Sequence, residues 1–130
     1  HTLSLHDALP IFPGDFTAPS RFVRAAFYQA TSPVWDNGFE TVVQAFHILN
    51  NFDIPIGIQH QKTDIPKGMP SATQFTSATD QTAMRLYYRT AWNSNIRCID
   101  LKKIDFRTVK YQSHPLDKVQ EQPVEMICIR

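Results

Sequence analysis

The sequence predicts an α+β fold in which two helices are followed by an antiparallel sheet. Apolar residues recur with a helical period in the first half of the chain, and from Met84 onward the alternation changes to a period of two. Because the helices come first and the strands follow as a run, this order favours an α+β arrangement over alternating α/β units.

The first predicted helix follows a turn at Pro13–Asp15 and runs to about Thr31. Thr17 is suited to cap it, and a proline at position 19 is tolerated in a first turn. Ser32-Pro33 should end the helix, because the residue before a proline disfavours helical backbone angles.

The second predicted helix has the clearer pattern. Asp36 or Asn37 supplies the cap and Asn50-Asn51 the stop. Its apolar residues fall on one face, with spacings of three and four, and they are Phe39, Val42, Val43, Phe46 and Leu49. Prolines at 55, 66 and 70 then predict a loop from Ile54 to Pro70.

A meander of three or four strands is predicted after this loop. Thr73–Thr79 is the first strand and 84–92 the second, while Asn93–Asn95 connects to a third at Ile96–Leu101. Phe106–Tyr111 is a candidate fourth strand, and the tail from His114 has no predicted element. In the second strand, Met84, Leu86, Tyr88, Thr90 and Trp92 share one face, and Arg85, Tyr87 and Arg89 share the other. We expect the apolar faces of both helices and the Met84/Leu86/Tyr88 stripe to need more partner surface than these residues supply.

Composition indicates a folded chain and weighs against two classes of partner. The 130 residues are 42% hydrophobic and 19% charged, a balance typical of globular domains. The formal net charge is +1, so neither nucleic acid nor an acidic membrane is an expected partner. No run approaches the roughly 18 apolar residues that a membrane-spanning helix needs.

Residues 1–12 do not fit the rest of the chain. They have no initiating methionine, no basic region and no apolar stretch, so they are not a signal peptide. They are similar to translated sequencing-adapter read-through, and we expect a non-native leader with residues 13–130 forming part of a single domain. An ordinary native segment cut at an arbitrary point is the alternative. We expect the true N terminus to lie upstream, so the sequence leaves localisation open.

Histidines and cysteines offer little chemistry. No pair of histidines has metal-ligand spacing, so no metal site is expected, and four glycines leave little room for a phosphate-binding loop. His47 lies beside the apolar stripe of the second helix and is predicted to be a core-edge residue. Cys98 alternates within a strand and is predicted to be a small buried hydrophobe. Cys98 and Cys128 cannot build a disulfide framework, and the redox compartment stays open.

Two arginines near the start of the first helix are better candidates for function. Arg21 and Arg24 lie in its first two turns, where the helix dipole disfavours a cation by a few tenths of a kcal/mol. Either they have a functional role, or they are solvated or in an ion pair, for example with Asp15.

Several strings in the right order resemble the choloylglycine hydrolase family, which includes bile salt hydrolases and penicillin V acylases. Residues 13–27, PGDFTAPSRFVRAAF, resemble the family's PGDFTxxSRFxRxAF, and 46–51 match its FHILNN helix. Ile54–Gly57, Thr73–Ser77, Tyr87-Tyr88 and 95–101 follow at similar intervals. The resemblance covers about residues 13–101 and fades after Thr108. Ile11-Phe12 departs from the family's usual Gly-Leu.

The resemblance implies the C-terminal part of an αββα N-terminal-nucleophile hydrolase that cleaves linear amides such as conjugated bile salts or penicillin V. The nucleophile in this family is an N-terminal cysteine, expected upstream of residue 1, so the fragment alone should be inactive. The family's active-site arginine falls on Arg21, whereas the arginine at 24 is read as structural. No cofactor is implied. The expected partner is a small-molecule amide, and the family suggests a homo-oligomer.

A different class stays open beside this one, a non-catalytic α+β binding module that keeps the fold. The substrate is not decided by this part of the sequence. The loops Asp36–Gly38 and His60–Gly68 are weak candidates for rim residues of a substrate pocket.

Overall fold

A computed structural model describes residues 15–55, 58 and 72–129. Its elements are the helices α1 (Ala18–Thr31) and α2 (Gly38–Asn50), the strands β1 (Phe75–Asp80), β2 (Arg85–Thr90) and β3 (Arg97–Asp100), and a short 3-10 helix at Leu101–Lys103. The chain divides into two compact units, one ending at Asp36 and the other beginning at Asn37. The predicted α+β order of two helices followed by an antiparallel meander is confirmed.

Helix α1 begins and ends where the sequence predicts. Thr17 is its N-cap residue and Ser32 its C-cap, with proline in the first turn. The expected cap bond is absent, however, because the Thr17 side chain makes no hydrogen bond to a helix N–H and donates instead to the Asp15 carboxylate at 2.6 Å. Within α1, Ser20 is the buried residue.

Helix α2 has a side-chain cap at its start and a bonded C-cap at its end. The Asn37 side chain accepts a hydrogen bond from the Phe39 N–H at 2.9 Å. At the other end, the Asn51 N–H donates to the carbonyl of Ile48. Both signals were predicted from local sequence, since asparagine suits both positions.

The three strands form an antiparallel sheet in the order β1-β2-β3. Tyr87 pairs with Ala78 on one side and with Cys98 on the other. Met84, predicted to begin the second strand, lies in the β1–β2 turn with φ 57°, a left-handed conformation. Trp92, predicted to end that strand, lies in the turn before β3.

The face of the sheet that carries Tyr87 packs against α2. Val42, Phe46 and Tyr87 are the buried apolar residues of the described part, and Ala78 packs against them. The Arg89 guanidinium lies 5.6 Å from the centre of the Phe46 ring. Burying an aromatic or branched apolar side chain contributes about 1.5–3 kcal/mol, so this cluster is the main described source of packing energy.

The opposite face carries the predicted Leu86/Tyr88 stripe and is partly covered by the tail. Leu86 and Tyr88 are half-buried, and together with Phe75 and Ile99 they line a small cavity closed by residues 114–116. The tail therefore supplies part of the surface that the stripe was predicted to need.

Three expectations about single features are wrong. Phe106–Tyr111 forms turns and irregular backbone rather than a fourth strand, with Asp105 capping the turn. His47 is exposed, because it follows the buried Phe46 directly and each residue of a helix is rotated by about 100° from the one before it. Cys98 is exposed because β3 lies at the edge of the described sheet, and the buried cluster draws on α2, β1 and β2.

Other expectations fall on residues that the structure does not describe. They are the leader at residues 1–12, the start of the turn at Pro13, most of the 54–70 loop and the candidate rim loop at His60–Gly68.

Candidate functional site

Arg21 lies in the first turns of α1, next to a buried serine. Its backbone N–H donates to the carbonyl of Thr17 at 3.0 Å, the first hydrogen bond of the helix. The Arg21 residue is half-buried, whereas its neighbour Ser20 is only 3% exposed. The helix therefore fixes the backbone from which the guanidinium extends.

A set of polar contacts surrounds the start of α1, and we call it the α1 start network: Asp15, Thr17, Ser20 and Arg24. The Asp15 carboxylate accepts hydrogen bonds from the Thr17 N–H at 3.0 Å and from the Thr17 hydroxyl at 2.6 Å. The same hydroxyl lies 3.3 Å from the Ser20 hydroxyl. Asp15 therefore bonds the N-cap residue Thr17 itself, and these contacts do not reach an N–H of the helix.

Arg24 closes this network from the second turn. Its Nη1 donates to the backbone carbonyl of Asp15 at 3.0 Å. Among the explanations that the sequence left open for these arginines was a partnership with Asp15, and Arg24 makes a contact with that residue. The contact runs to the main chain of Asp15 rather than to its carboxylate.

The network keeps the Asp15 carboxyl ionised. Hydrogen bonds from Ser20 and then from Thr17 hold the pKa of Asp15 below its ordinary value, and the charge of Arg24 adds to this. α1 has no acidic residue in its first turn. The Asp15 anion just before it therefore supplies the negative charge that the positive end of the helix dipole favours.

A second polar cluster, the Arg97 clamp, joins the tail to the sheet: Thr90, Arg97, Leu116 and Asp117. Arg97 donates to the Asp117 carboxylate at 2.5 Å, to the Leu116 carbonyl at 3.0 Å and to the Thr90 hydroxyl at 3.2 Å. Its guanidinium stacks 4.6 Å from the centre of the Tyr88 ring. Hydrogen bonding from Thr90 and then Arg97 lowers the pKa of Asp117.

The clamp borders a cavity of about 720 Å³ between the sheet and residues 114–123. A further cavity of about 320 Å³ is lined by Arg89 and Thr90 at the same C-terminal end of β2, and there Arg89 pairs with Asp53 at 2.6 Å. Arg97 and Asp117 are paired at the first cavity, as Arg89 and Asp53 are at the second. These pairs hold segments of the chain together. At the second cavity the Thr76 hydroxyl also donates to the paired Asp53 carboxylate at 3.4 Å.

Other chemistry is not brought together in the part of the chain that the structure describes. Across residues 15–55 and 72–129 no group of histidine, cysteine or acidic side chains could hold a metal ion. Cys98 and Cys128 are both free and exposed. None of the described helices is both long enough and apolar enough to cross a membrane.

The loop at Asp36–Gly38, a candidate rim segment, is exposed. Its observed role is to start α2 through the Asn37 cap.

Sequence reasoning missed the Arg97 clamp and the role of Asp15. Arg97 and Asp117 are 20 residues apart and belong to no local pattern, so no sequence signal pointed to the pair. Asp15 did carry a signal, since an acidic residue just before a helix favours the helix dipole.

Comparisons with known proteins identify the family of the chain. Residues 7–117 match the family described as linear amide C-N hydrolases, choloylglycine hydrolase family. Because the match covers most of the chain, the protein belongs to this family. The resemblance drawn from the motifs is thereby confirmed, and the match reaches further along the tail than those motifs do.

Relatives and solved structures agree with this assignment. The chain is 34% identical over 104 residues to a bile salt hydrolase/transferase of Lactiplantibacillus plantarum, covering 80% of this chain and 31% of that protein. A mutant conjugated bile acid hydrolase from Clostridium perfringens superposes with a TM-score of 0.68 at 26% identity, covering 96% of this chain and 36% of that one. For a penicillin V acylase from Agrobacterium tumefaciens the TM-score is 0.59 at 27% identity, covering 73% and 29%.

These comparisons confirm the predicted N-terminal-nucleophile hydrolase fold class. They also show that the chain spans about a third of the length of the relatives it matches.

Proposed function

We propose that residues 13–130 are the C-terminal part of a cysteine-nucleophile hydrolase that cleaves linear amides, with Arg21 in its active site. Family membership supports the reaction class. The position of Arg21 in the Ser-Arg-Phe string of α1 supports its assignment to the active site. The chain spans about a third of its relatives, which supports a catalytic centre completed by residues outside this sequence.

In the proposed reaction, the thiolate of an N-terminal cysteine attacks the amide carbonyl carbon and forms a C–S bond. The C–N bond breaks as the leaving amine takes a proton from the cysteine α-ammonium group. Water then attacks the thioester, which releases the carboxylic acid and regenerates the thiol and the amino group. Neither Cys98 nor Cys128 can perform this role, because neither begins a chain and the reaction needs the free α-amino group.

Arg21 would favour the charged form of the nucleophile. A guanidinium stays protonated at all relevant pH values, and a cation close to a thiol lowers the pKa of the thiol. The same planar group can hold a polar atom of the substrate through two hydrogen bonds at once. This gives a functional reason for a cation at the start of α1, where the helix dipole alone would disfavour it.

The test is made on the full-length protein, obtained with its upstream sequence. Hydrolysis of penicillin V and of a conjugated bile salt is measured for the wild type and for Arg21→Lys and Arg21→Ala. We expect both variants to lower kcat about 100-fold or more while the melting temperature stays unchanged. Arg107→Lys is the matched control, because that arginine is 91% exposed and pairs with Asp105 in an exposed turn.

Three outcomes would contradict the proposal. Wild-type kinetics in both Arg21 variants would remove this residue from the active site. Turnover by the purified 130-residue chain would show that the upstream cysteine is not required. A full-length protein that binds these amides without cleaving them would instead indicate a binding module with this fold.

The choice between bile salts and penicillin V rests on the same assay with both substrates side by side. Self-association, which the family resemblance implies, stays a prediction that light scattering on the full-length protein would test.

A further inference from the structure

We infer that Arg24 is a positioning residue for Arg21, which it holds in place through the segment that precedes α1. This inference rests on the proposed function, since it concerns the same active site. It goes beyond a purely structural role for Arg24, because it states that Arg24 affects turnover through the side chain of Arg21.

The first step is the contact between Arg24 and the chain before the helix. Arg24 Nη1 reaches back to the carbonyl of Asp15, nine residues earlier, at 3.0 Å. Side chains on a helix point toward its N terminus, so a residue in the second turn is well placed to make this contact. The bond ties the non-helical residues before α1 to the body of the helix.

The second step leads from Asp15 to the backbone beside Arg21. The Asp15 carboxylate accepts from the Thr17 N–H and hydroxyl, and hydrogen bonding from Ser20 is the largest cause of its lowered pKa. Ser20 precedes Arg21 directly and is 3% exposed. The network therefore forms a series of contacts that runs from Arg24 through Asp15 to Ser20, the residue next to Arg21, and to Thr17, whose carbonyl accepts from the Arg21 N–H.

The third step concerns the side chains themselves. Residues three apart lie on neighbouring positions of one helix face, so Arg21 and Arg24 share a face of α1. With its Nη1 engaged at Asp15, the Arg24 guanidinium is held at the N-terminal end of that face. This fixed group narrows the directions open to the Arg21 side chain. Small displacements of a catalytic group cost turnover even when the fold is intact.

The first experiment is a double-mutant cycle on the full-length enzyme. Arg24→Met should lower kcat about tenfold and leave KM within about twofold. In an Arg21→Ala background the same substitution should have no further effect, because it acts through a group that is already gone. Arg24→Lys should recover most of the activity, since an ammonium can donate one hydrogen bond to the Asp15 carbonyl. Arg107→Met is the matched control, and we expect wild-type kinetics for it.

A merely structural role predicts a different result. The loss from Arg24→Met would then be the same in both backgrounds and would follow the fall in melting temperature, and this outcome would overturn the inference. Wild-type kcat in Arg24→Met would overturn it as well. If Arg24→Met fails to fold, Arg24→Gln takes its place in the cycle. A loss of kcat that vanishes in the Arg21→Ala background then supports the inference, and an equal loss in both backgrounds opposes it.

A second readout does not depend on activity and separates this inference from the proposed function. The Nε–H resonance of Arg21 in the NMR spectrum reports the order of its side chain. We expect this resonance to shift and broaden in Arg24→Met and to stay unchanged in Arg107→Met. If the wild-type enzyme cleaves no amide, the proposed function fails, while this resonance still decides whether Arg24 positions Arg21. An unchanged resonance would overturn the inference even in an active enzyme.

Discussion

The two helices of this chain are of similar length and do different work. α2 packs its middle against the sheet, where Val42 and Phe46 are only 6% and 3% exposed. α1 buries a serine, and Phe22 is 74% exposed. The side-chain hydrogen bonds that tie α1 to the residues before it lie in its first two turns.

This difference separates stability from chemistry along the chain. Apolar burial is the dominant favourable term in folding, so the α2 cluster should set the stability of the domain. The charged and hydrogen-bonded groups at the start of α1 orient side chains and set the local charge, and they bury little apolar surface. Substitutions there should therefore change turnover more than stability. Substitutions in the two helices should therefore be distinguishable by which measured quantity they change.

Phe46→Ala should give the largest effect on stability. Truncating a buried phenylalanine removes its transfer free energy and leaves a cavity, at a cost of about 3–5 kcal/mol. It also removes the ring beneath the Arg89 guanidinium. We expect urea denaturation of the full-length protein to show this loss, while kcat per folded molecule stays close to wild type.

Phe39→Ala is the matched control for this experiment. Phe39 lies on the same helix but is 66% exposed, so its truncation should cost less than about 0.5 kcal/mol. Equal losses from the two substitutions would show that the α2 cluster is not the centre of stability. A fall in kcat without a fall in stability would show that α2 takes part in the chemistry.

The same residues show how much of the fold the sequence could predict. The period of α2 identified the buried face correctly, because Val42 and Phe46 lie three and seven residues after Phe39. The period could not show how much of this face the sheet covers, and Phe39, on the same face, is exposed. The alternation of residues in β2 separated the two faces of the strand. It did not predict that the face with Tyr87, which also carries two arginines, packs against α2.

The candidate site was predictable only in part. Arg21 came from a family motif, and its electrostatic oddity at a helix start is visible in the sequence. The contact of Arg24 with a backbone carbonyl is not visible in the sequence, because every residue has a main-chain carbonyl and its residue type does not mark it as an acceptor. The Arg97–Asp117 pair joins positions 20 residues apart, and such a pairing depends on a tertiary path that local patterns do not contain.

The helix caps allow a smaller test of the same contrast. Asn37→Ala should destabilise the full-length protein by about 1 kcal/mol, because the Asn37 side chain accepts from a helix N–H. Thr17→Ala should cost less than this, because the Thr17 side chain bonds the exposed Asp15 carboxylate and not a helix N–H. Chemical denaturation of the two variants in parallel measures the difference, and a larger loss from Thr17→Ala would contradict it.

The smallest expected effect is a difference in how the two helices respond to acid. Asp15 has a pKa below its ordinary value of 3.8, because Ser20 and then Thr17 donate hydrogen bonds to its ionised form. A group whose pKa is lowered by folding stabilises the folded state above its unfolded pKa. That contribution is lost as the pH falls through the folded pKa. The apolar side chains of Val42 and Phe46 do not titrate, so the middle of α2 should not respond in this range.

Amide hydrogen exchange, corrected for intrinsic rates, can resolve this difference in the full-length protein. The Arg21 N–H, which donates to the Thr17 carbonyl, should lose protection as the pH falls below about 4, where an unperturbed aspartate titrates. The Phe46 N–H should keep its protection over the same range. Asp15→Asn should remove the pH dependence at Arg21, because an amide carries no charge to lose. A parallel loss of protection in both helices would mean that acid acts on the domain as a whole, and the polar start of α1 would then not be a separate unit of stability.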